Sequence, residues 1–333
     1  MYEIRGVKGT IVTNSEKIKL KDDYVHDYIE LKSTTNKMVL SYKDYVTISE
    51  IRVYSTGGIP DNVQQWKKEE STDLMLFSTH SDDEVLFFGG ILPTYVNQGK
   101  KVHVVYLTRH DLGGNYVKNE RIHEQLDGLW TSGVRDYPTF GIIKDAKSVI
   151  KDHTEKEMKA IIKHVQKQLK KDKIKDKEVI DFYVELLRKY KPQVVLGHDE
   201  YGEYGHGQHV YNTYILKQAV EKSKDKKYKV KGLEPFDVSK FYIHLYNQDN
   251  STIINLDTPL EKYNNRTAYQ VTCEAFTKHL SQQKSKYPAW LYGEYHEHTK
   301  ASDIDTSNPM YWGLYYSTVG EDINKNDLFE NID

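Results

Sequence analysis

The sequence predicts an α/β fold: a Rossmann-like, mostly parallel sheet with helices on both faces, preceded by a small N-terminal β unit. Three observations predict it. Short alternating runs fill residues 1–70, strands and helices alternate from residue 72 onward, and two clusters of histidine and acid each follow an apolar run that reads as a buried strand.

The first 70 residues contain TIVT, YIELK, KMVLSY and YVTISEIRVYS, β-prone stretches without helical period. GGIPDN, residues 57–62, is turn chemistry and marks the passage to a larger domain, residues 71–333. There DLMLFST, EVLFFGGILPTYVNQG, KVHVVYLT and NERIHEQLDGLWTSG read as strand, helix, strand, helix. Helix KEVIDFYVELLRKY, strand PQVVLGH and helix HGQHVYNTYILKQAVEKS form a second such unit, followed by strand KFYIHLYNQ. Parallel strands joined by helices cross over right-handed, and ligands bind beyond their carboxyl ends. From about residue 250 come a helix, TAYQVTCEAFTKHLSQQ, and an aromatic-rich irregular tail expected to pack on the α/β domain.

Composition narrows the function. The 333 residues carry 47 Lys+Arg against 49 Asp+Glu, a net charge of -2, which favours neither nucleic acid nor an anionic membrane. KQLKKDKIKDK, residues 167–177, interleaves aspartates and reads as a solvated helix end and loop. A single cysteine, Cys273, excludes an internal disulfide and a cysteine-based zinc cluster, so any metal site must use histidine and carboxylate. No stretch approaches the roughly 18 apolar residues of a membrane span. One cysteine suits a secreted protein as well as a cytosolic one, so composition leaves the compartment open; a secreted or cell-surface location, with any leader outside this sequence, is an expectation that rests on the β unit and on the resemblance given below as well.

THSDDEVLFFGG, residues 79–90, places a histidine and three acids at the end of the run LMLF, and buried carboxylates persist only when paired, hydrogen-bonded or metal-bound. His80 and Asp83 are spaced to converge at a strand-to-helix turn, and His206 and His209 repeat that spacing at a helix start. Two histidines and one aspartate make a three-ligand set that leaves a position open for water, as in catalytic zinc sites. Asp82 is then available as a base, and it also suits the N-cap of the following helix. His198 and Asp199 end one strand and are expected to orient a ligand from behind. His110 and Asp111 end another and are expected to line the pocket.

These motifs resemble those of the PIG-L / LmbE-type zinc de-N-acetylases. THSDDE is similar to that family's AHPDDE, RIHE at residues 121–124 to its RxxE, and GEYGHGQH to its later HxxH, over about residues 72–250. The resemblance implies one Zn2+ per chain, or another divalent metal, on His80, Asp83 and His209. It implies Asp82 as general base, His206 as electrophilic partner, Arg121 at the substrate and Glu124 in support. Asp145 is a further substrate-binding candidate. Ser81 stands where the family has proline, which implies a change in loop stiffness without loss of chemistry. The expected activity is hydrolytic removal of acetyl from an N-acetylated amino sugar such as an N-acetylglucosamine glycan. A zinc amidohydrolase acting on a non-sugar amide and a non-catalytic carbohydrate-binding protein are the alternatives. Tyr287, Trp290, Tyr292, Tyr295, Tyr311 and Trp312 offer flat faces for a sugar ring, or packing for the core.

Overall fold

The computed structural model describes residues 6–43, 45–46, 48, 50–109, 117–145, 151–283 and 298–332. The chain divides into two compact units at residues 67 and 68.

In the smaller unit, strands β1 (Gly9–Thr13), β2 (Lys17–Lys19) and β3 (Met38–Tyr42) form an antiparallel sheet with β1 in the middle. TIVT and KMVLSY lie in strands as expected, whereas YIELK and the described part of YVTISEIRVYS do not. Ile51 and Val53 are exposed, so the apolar half of that alternating pattern has no face to bury. Strand propensity expresses itself through such packing.

The larger unit is built on a seven-stranded sheet. Its first three parallel strands are β4 (Leu74–Ser78), β5 (Val102–Thr108) and β6 (Thr139–Ile143). β7 (Val194–Gly197) and β8 (Lys240–His244) continue parallel on the other side of β4. β4, β5, β7 and β8 are buried along their whole length, as expected of strands covered on both faces. A short strand β9 (Thr252–Ile253) and a separate two-stranded ribbon, β10 (Pro259–Leu260) with β11 (Arg266–Thr267), come next in the chain. Finally β12 (Tyr311–Ser317) inserts antiparallel between β8 and β9, giving the order β6-β5-β4-β7-β8-β12-β9.

One face of the sheet is covered by α4 (Glu155–Lys171), α5 (Asp176–Tyr190) and α6 (Gly207–Lys224), which share an apolar core with Met75, Phe77, Val105, Leu107, Val195, Phe241 and Ile243. The other side carries α1 (Asp83–Leu86), α2 (Ile91–Asn97), α3 (Val117–Thr131) and α7 (Ala268–Phe276), with α7 packing on the other three. Among the described residues no helix is long and apolar enough to cross a membrane.

Three elements differ from the sequence reading. EVLFFGGILPTYVNQG is two helices, because Gly90 is left-handed at φ 88° and a side chain there would meet Leu256 at 2.9 Å. The helix expected over TAYQVTCEAFTKHLSQQ ends at Phe276, where the chain tightens into a 3-10 turn at Leu280–Gln282. The tail expected to be irregular contains β12, and Trp312, fully buried, donates its indole N–H to the Pro309 carbonyl at 2.9 Å. Trp312 is core, which removes it from any sugar-stacking surface.

Candidate metal centre and catalytic site

β4 and β7 are neighbours, while the helices that follow them lie on opposite faces of the sheet. The crevice beyond their carboxyl ends is the switch point of this topology. His80 to Asp83 leave β4 into that crevice, His198 leaves β7, and His206 caps α6, with His209 in its first turn.

Three donor atoms converge there. His80 Nδ1 lies 3.2 Å from Asp83 Oδ2 and 3.2 Å from His209 Nε2, and His209 Nε2 lies 3.1 Å from Asp83 Oδ2. The edge of a tetrahedron with metal–ligand bonds near 2.0 Å is roughly 3.3 Å, so this triangle fits one divalent ion. Two broader groupings overlap it: His80, His206 and His209, and Asp83, His198 and His209, each with donor atoms within 4.8 Å of one another. His198 Nε2 is buried without a hydrogen-bond partner, 3.6 Å from Asp83 Oδ2. Such an arrangement of lone pairs and carboxylate, closed off from water, suits a cation.

The neighbours of these donors hold their orientation. His80 turns Nε2 toward Gln208 Oε1 at 3.1 Å and Asp145 Oδ1 at 3.2 Å, leaving Nδ1 for the cluster. Glu203 Oε2 accepts from His209 Nδ1 at 2.7 Å and from His198 Nδ1 at 2.6 Å, which turns both Nε2 atoms toward the cluster as the positions a cation would take. Burial works against the Glu203 charge, but the surrounding imidazoles hold its carboxyl well below the usual range. Glu203 sits in a tight 3-10 turn after Gly202, which is left-handed at φ 70° and where a side chain would meet the His206 carbonyl at 2.5 Å.

Asp82 occupies the N-cap position of α1 but its side chain does not cap the helix. Its Oδ2 accepts from Arg121 Nη2 at 2.8 Å, and its backbone sits at φ 136°, a conformation that costs about 1–3 kcal/mol for a non-glycine residue and that clusters at functional sites. Glu84 steadies this turn, taking the Asp82 N–H at 2.9 Å while its other oxygen pairs with His279 at 2.9 Å. Burial raises the Asp82 carboxyl to about 6; Arg121 opposes the shift and Asp83 adds to it. Arg121 therefore pairs with Asp82 and not with Glu120 or Glu124. Its guanidinium also donates to the Ser81 carbonyl, and the Ser81 hydroxyl returns a bond to the Arg121 carbonyl at 2.9 Å. This reciprocal link ties the loop to α3 at Ser81, where the resembled family has proline and a change in stiffness was expected.

His206 is buried, with its ring 4.5 Å from that of His80 and 4.8 Å from that of His209. Its Nδ1 accepts from the Gln208 N–H at 3.3 Å, so the proton of the neutral ring is on Nε2. Burial, then His80 and His209, lower its pKa, making it a neutral donor.

The remaining sequence candidates separate. Asp145 joins the cluster through His80. Glu124, expected to support the ligands, instead binds the Ser281 N–H at 2.7 Å and its hydroxyl at 2.6 Å. Asp199 closes its own turn onto the Tyr201 N–H at 3.2 Å and reaches Glu203 only through its backbone. His110, Asp111, Tyr287, Trp290, Tyr292 and Tyr295 lie outside the described residues. Sequence reasoning missed Glu203, Gln208 and Glu84. The acid inside GEYGHGQH and the last letter of DDE were visible signals, but nothing in their spacing says which imidazole they face.

The cluster predicts a pH dependence. Burial pulls the His80 and His209 imidazoles down, but Asp83, with Asp145 for His80 and Glu203 for His209, outweighs it and raises them to about 10 and about 8. Both hold protons that a cation must displace, so metal affinity is lost as pH falls. We expect about a tenfold loss per pH unit for each proton displaced: two protons below about pH 8, one from there to about pH 10. Metal titrations across this range check it, and a flat profile contradicts it.

A family model described as PIG-L, GlcNAc-PI de-N-acetylase, matches residues 75–220. A curated relative, 1D-myo-inositol 2-acetamido-2-deoxy-alpha-D-glucopyranoside deacetylase 2 of Saccharopolyspora erythraea, is 28% identical over 191 residues. That alignment covers 50% of this chain and 63% of the relative, so the chain spans just under two thirds of its length. Among solved structures, the N,N'-diacetylchitobiose deacetylase of Pyrococcus horikoshii is similar with TM-score 0.46 and 15% identity, over 74% of this chain and 84% of that one. The conserved protein TT1542 of Thermus thermophilus is similar with TM-score 0.43 and 19% identity, over 64% and 80%. Residues 75–220, the stretch that matches the PIG-L family model, thus carry the ligand triangle, Asp82 and His206.

Proposed function

We propose that this protein is a zinc-dependent hydrolase that removes acetyl from an N-acetylated amino sugar or a conjugate of one. The observation that carries the reading is the triangle of His80 Nδ1, Asp83 Oδ2 and His209 Nε2, with edges of 3.1–3.2 Å, directly beside a carboxylate that takes no part in it. The sugar class is supported by the family match and by the amino-sugar substrate in the name of the Saccharopolyspora relative. When bound to these residues, the divalent ion supplies Lewis-acid polarisation of the amide and acidifies the attacking water.

The chain's own residues do the rest. Asp82, ionised above about pH 6, accepts the proton of the attacking water. Arg121 holds that carboxylate in place and keeps it from folding back onto α1 as a cap. His206, with its proton on Nε2, donates a hydrogen bond to the oxyanion that develops as the water oxygen adds to the carbonyl carbon. The proton taken by Asp82 passes to the departing nitrogen as the C–N bond breaks, leaving acetate and a free amine.

Acetate release from a panel of N-acetylglucosamine-containing sugars and of non-sugar N-acetyl amides, with and without chelator, tests the proposal. We expect release from the sugars, its loss on chelation and its return with zinc. Release from the non-sugar amides alone contradicts the substrate class, and release that withstands chelation contradicts the metal.

A further inference from the structure

One oxygen of Glu203 serves His198 and His209, and the other faces a third imidazole. Oε1 lies 2.7 Å from His244 Nδ1 and takes the Asp199 N–H at 3.2 Å. His244 ends β8, is fully buried, and packs against Trp312 and Phe88. Its second nitrogen, Nε2, lies 3.0 Å from the carbonyl oxygen of Asn308. A carbonyl oxygen only accepts, so Nε2 carries a proton. A proton also lies in the short contact between Nδ1 and the carboxylate. Carboxylate and ring together hold the charges of an ion pair, sealed from water, and a buried carboxylate requires such compensation.

Asn308 is itself fixed. Its amide donates to the carbonyls of Ala301 and Ile304 at 3.1 and 2.7 Å, and its Oδ1 accepts from the Met310 N–H at 2.9 Å. A continuous path of hydrogen bonds therefore runs from the 301–310 segment through His244 and Glu203 to His209.

We propose that Glu203 is a positioning residue for His209, and that His244, protonated on both nitrogens, neutralises it and anchors it to the C-terminal segment carrying Asn308. The inference rests on His80, Asp83 and His209 holding a metal, and it assigns the support of that site to residues far along the chain. Glu203 fixes the tautomer of His209 and makes its Nε2 a better donor, as carboxylates behind ligating imidazoles do. His244 makes it possible to bury that carboxylate.

The test measures Co2+ affinity and the visible ligand-field spectrum of the purified protein, with Zn2+ as competitor. Glu203→Gln preserves shape. Its carbonyl still accepts from His209, its amide donates to His244 Nδ1, and His244 then becomes neutral with its proton on Nε2. We expect Co2+ to bind about 10- to 100-fold more weakly, with an altered spectrum, and Glu203→Asp to recover part of the loss. Wild-type affinity and spectrum in Glu203→Gln overturn the proposal. If Glu203→Gln does not fold, His244→Gln serves instead: it leaves the carboxylate uncompensated, and unchanged Co2+ binding there also overturns it. Because the readout is metal affinity, failure of acetate release alone strikes the proposed reaction and not this inference. A wild-type protein that binds no divalent ion overturns both.

Discussion

Asp82→Asn is expected to lower the rate of acetate release by about 10²- to 10⁴-fold while leaving metal content unchanged, the range by which a general base contributes. The carboxylate is bonded to Arg121, outside the ligand triangle, so replacing it removes a proton acceptor and not a ligand. Asparagine keeps the size and an oxygen for Arg121, and it tolerates positive φ better than most residues, which matters at φ 136°. The wild-type profile should carry an acidic limb: a base raised to about 6 is active above that pH and is lost as pH falls through it. Rate measurements at saturating zinc, with metal analysis of the same samples, check both points. Near-normal turnover in Asp82→Asn removes Asp82 from the mechanism.

Asp83→Ala should abolish stoichiometric metal binding, and activity with it. Its Oδ2 takes the His80 backbone N–H at 2.7 Å and is the shared neighbour of His80 Nδ1, His209 Nε2 and His198 Nε2, so one substitution removes the carboxylate at the point where the three imidazoles converge. A ligand that binds only the folded state stabilises it by about 2.7 kcal/mol at a hundred times its dissociation constant. Added zinc should therefore raise the melting temperature of the wild type and leave Asp83→Ala unmoved, with His209→Ala behaving likewise. Full occupancy in both variants rejects the ligand set.

The central fold was legible because its determinants are local. The runs LMLF and QVVLG are apolar without interruption, as covered parallel strands must be, and the charge at their ends fell on the crevice rim by topology alone. His80, Asp83 and His209 could be named from motif and spacing. Glu203 and Gln208 could not, since which imidazole an acid or amide faces depends on how β4, β7 and α6 meet. Arg121 shows the same limit: Glu120 and Glu124 are near it in sequence, yet the fold gives it Asp82. In the tail, YWGLYYS reads as irregular aromatic chain, for a sugar or for the core, until it is seen that β8 needs an antiparallel neighbour.

The second face of Glu84 bears on how the site comes into being. Its link to His279, like the pairing of His80 with His209 across 129 residues, closes a very long stretch of chain, and closing long loops costs entropy before any contact repays it. The turn that holds Asp82 at its unfavourable φ is complete only when α7 and the segment after it have docked. Metal competence likewise depends on closing the 129-residue stretch between His80 and His209. Before that closure the chain offers a cation only His80 and Asp83, three residues apart, and the third donor reaches them when β7 has paired with β4 and α6 follows it.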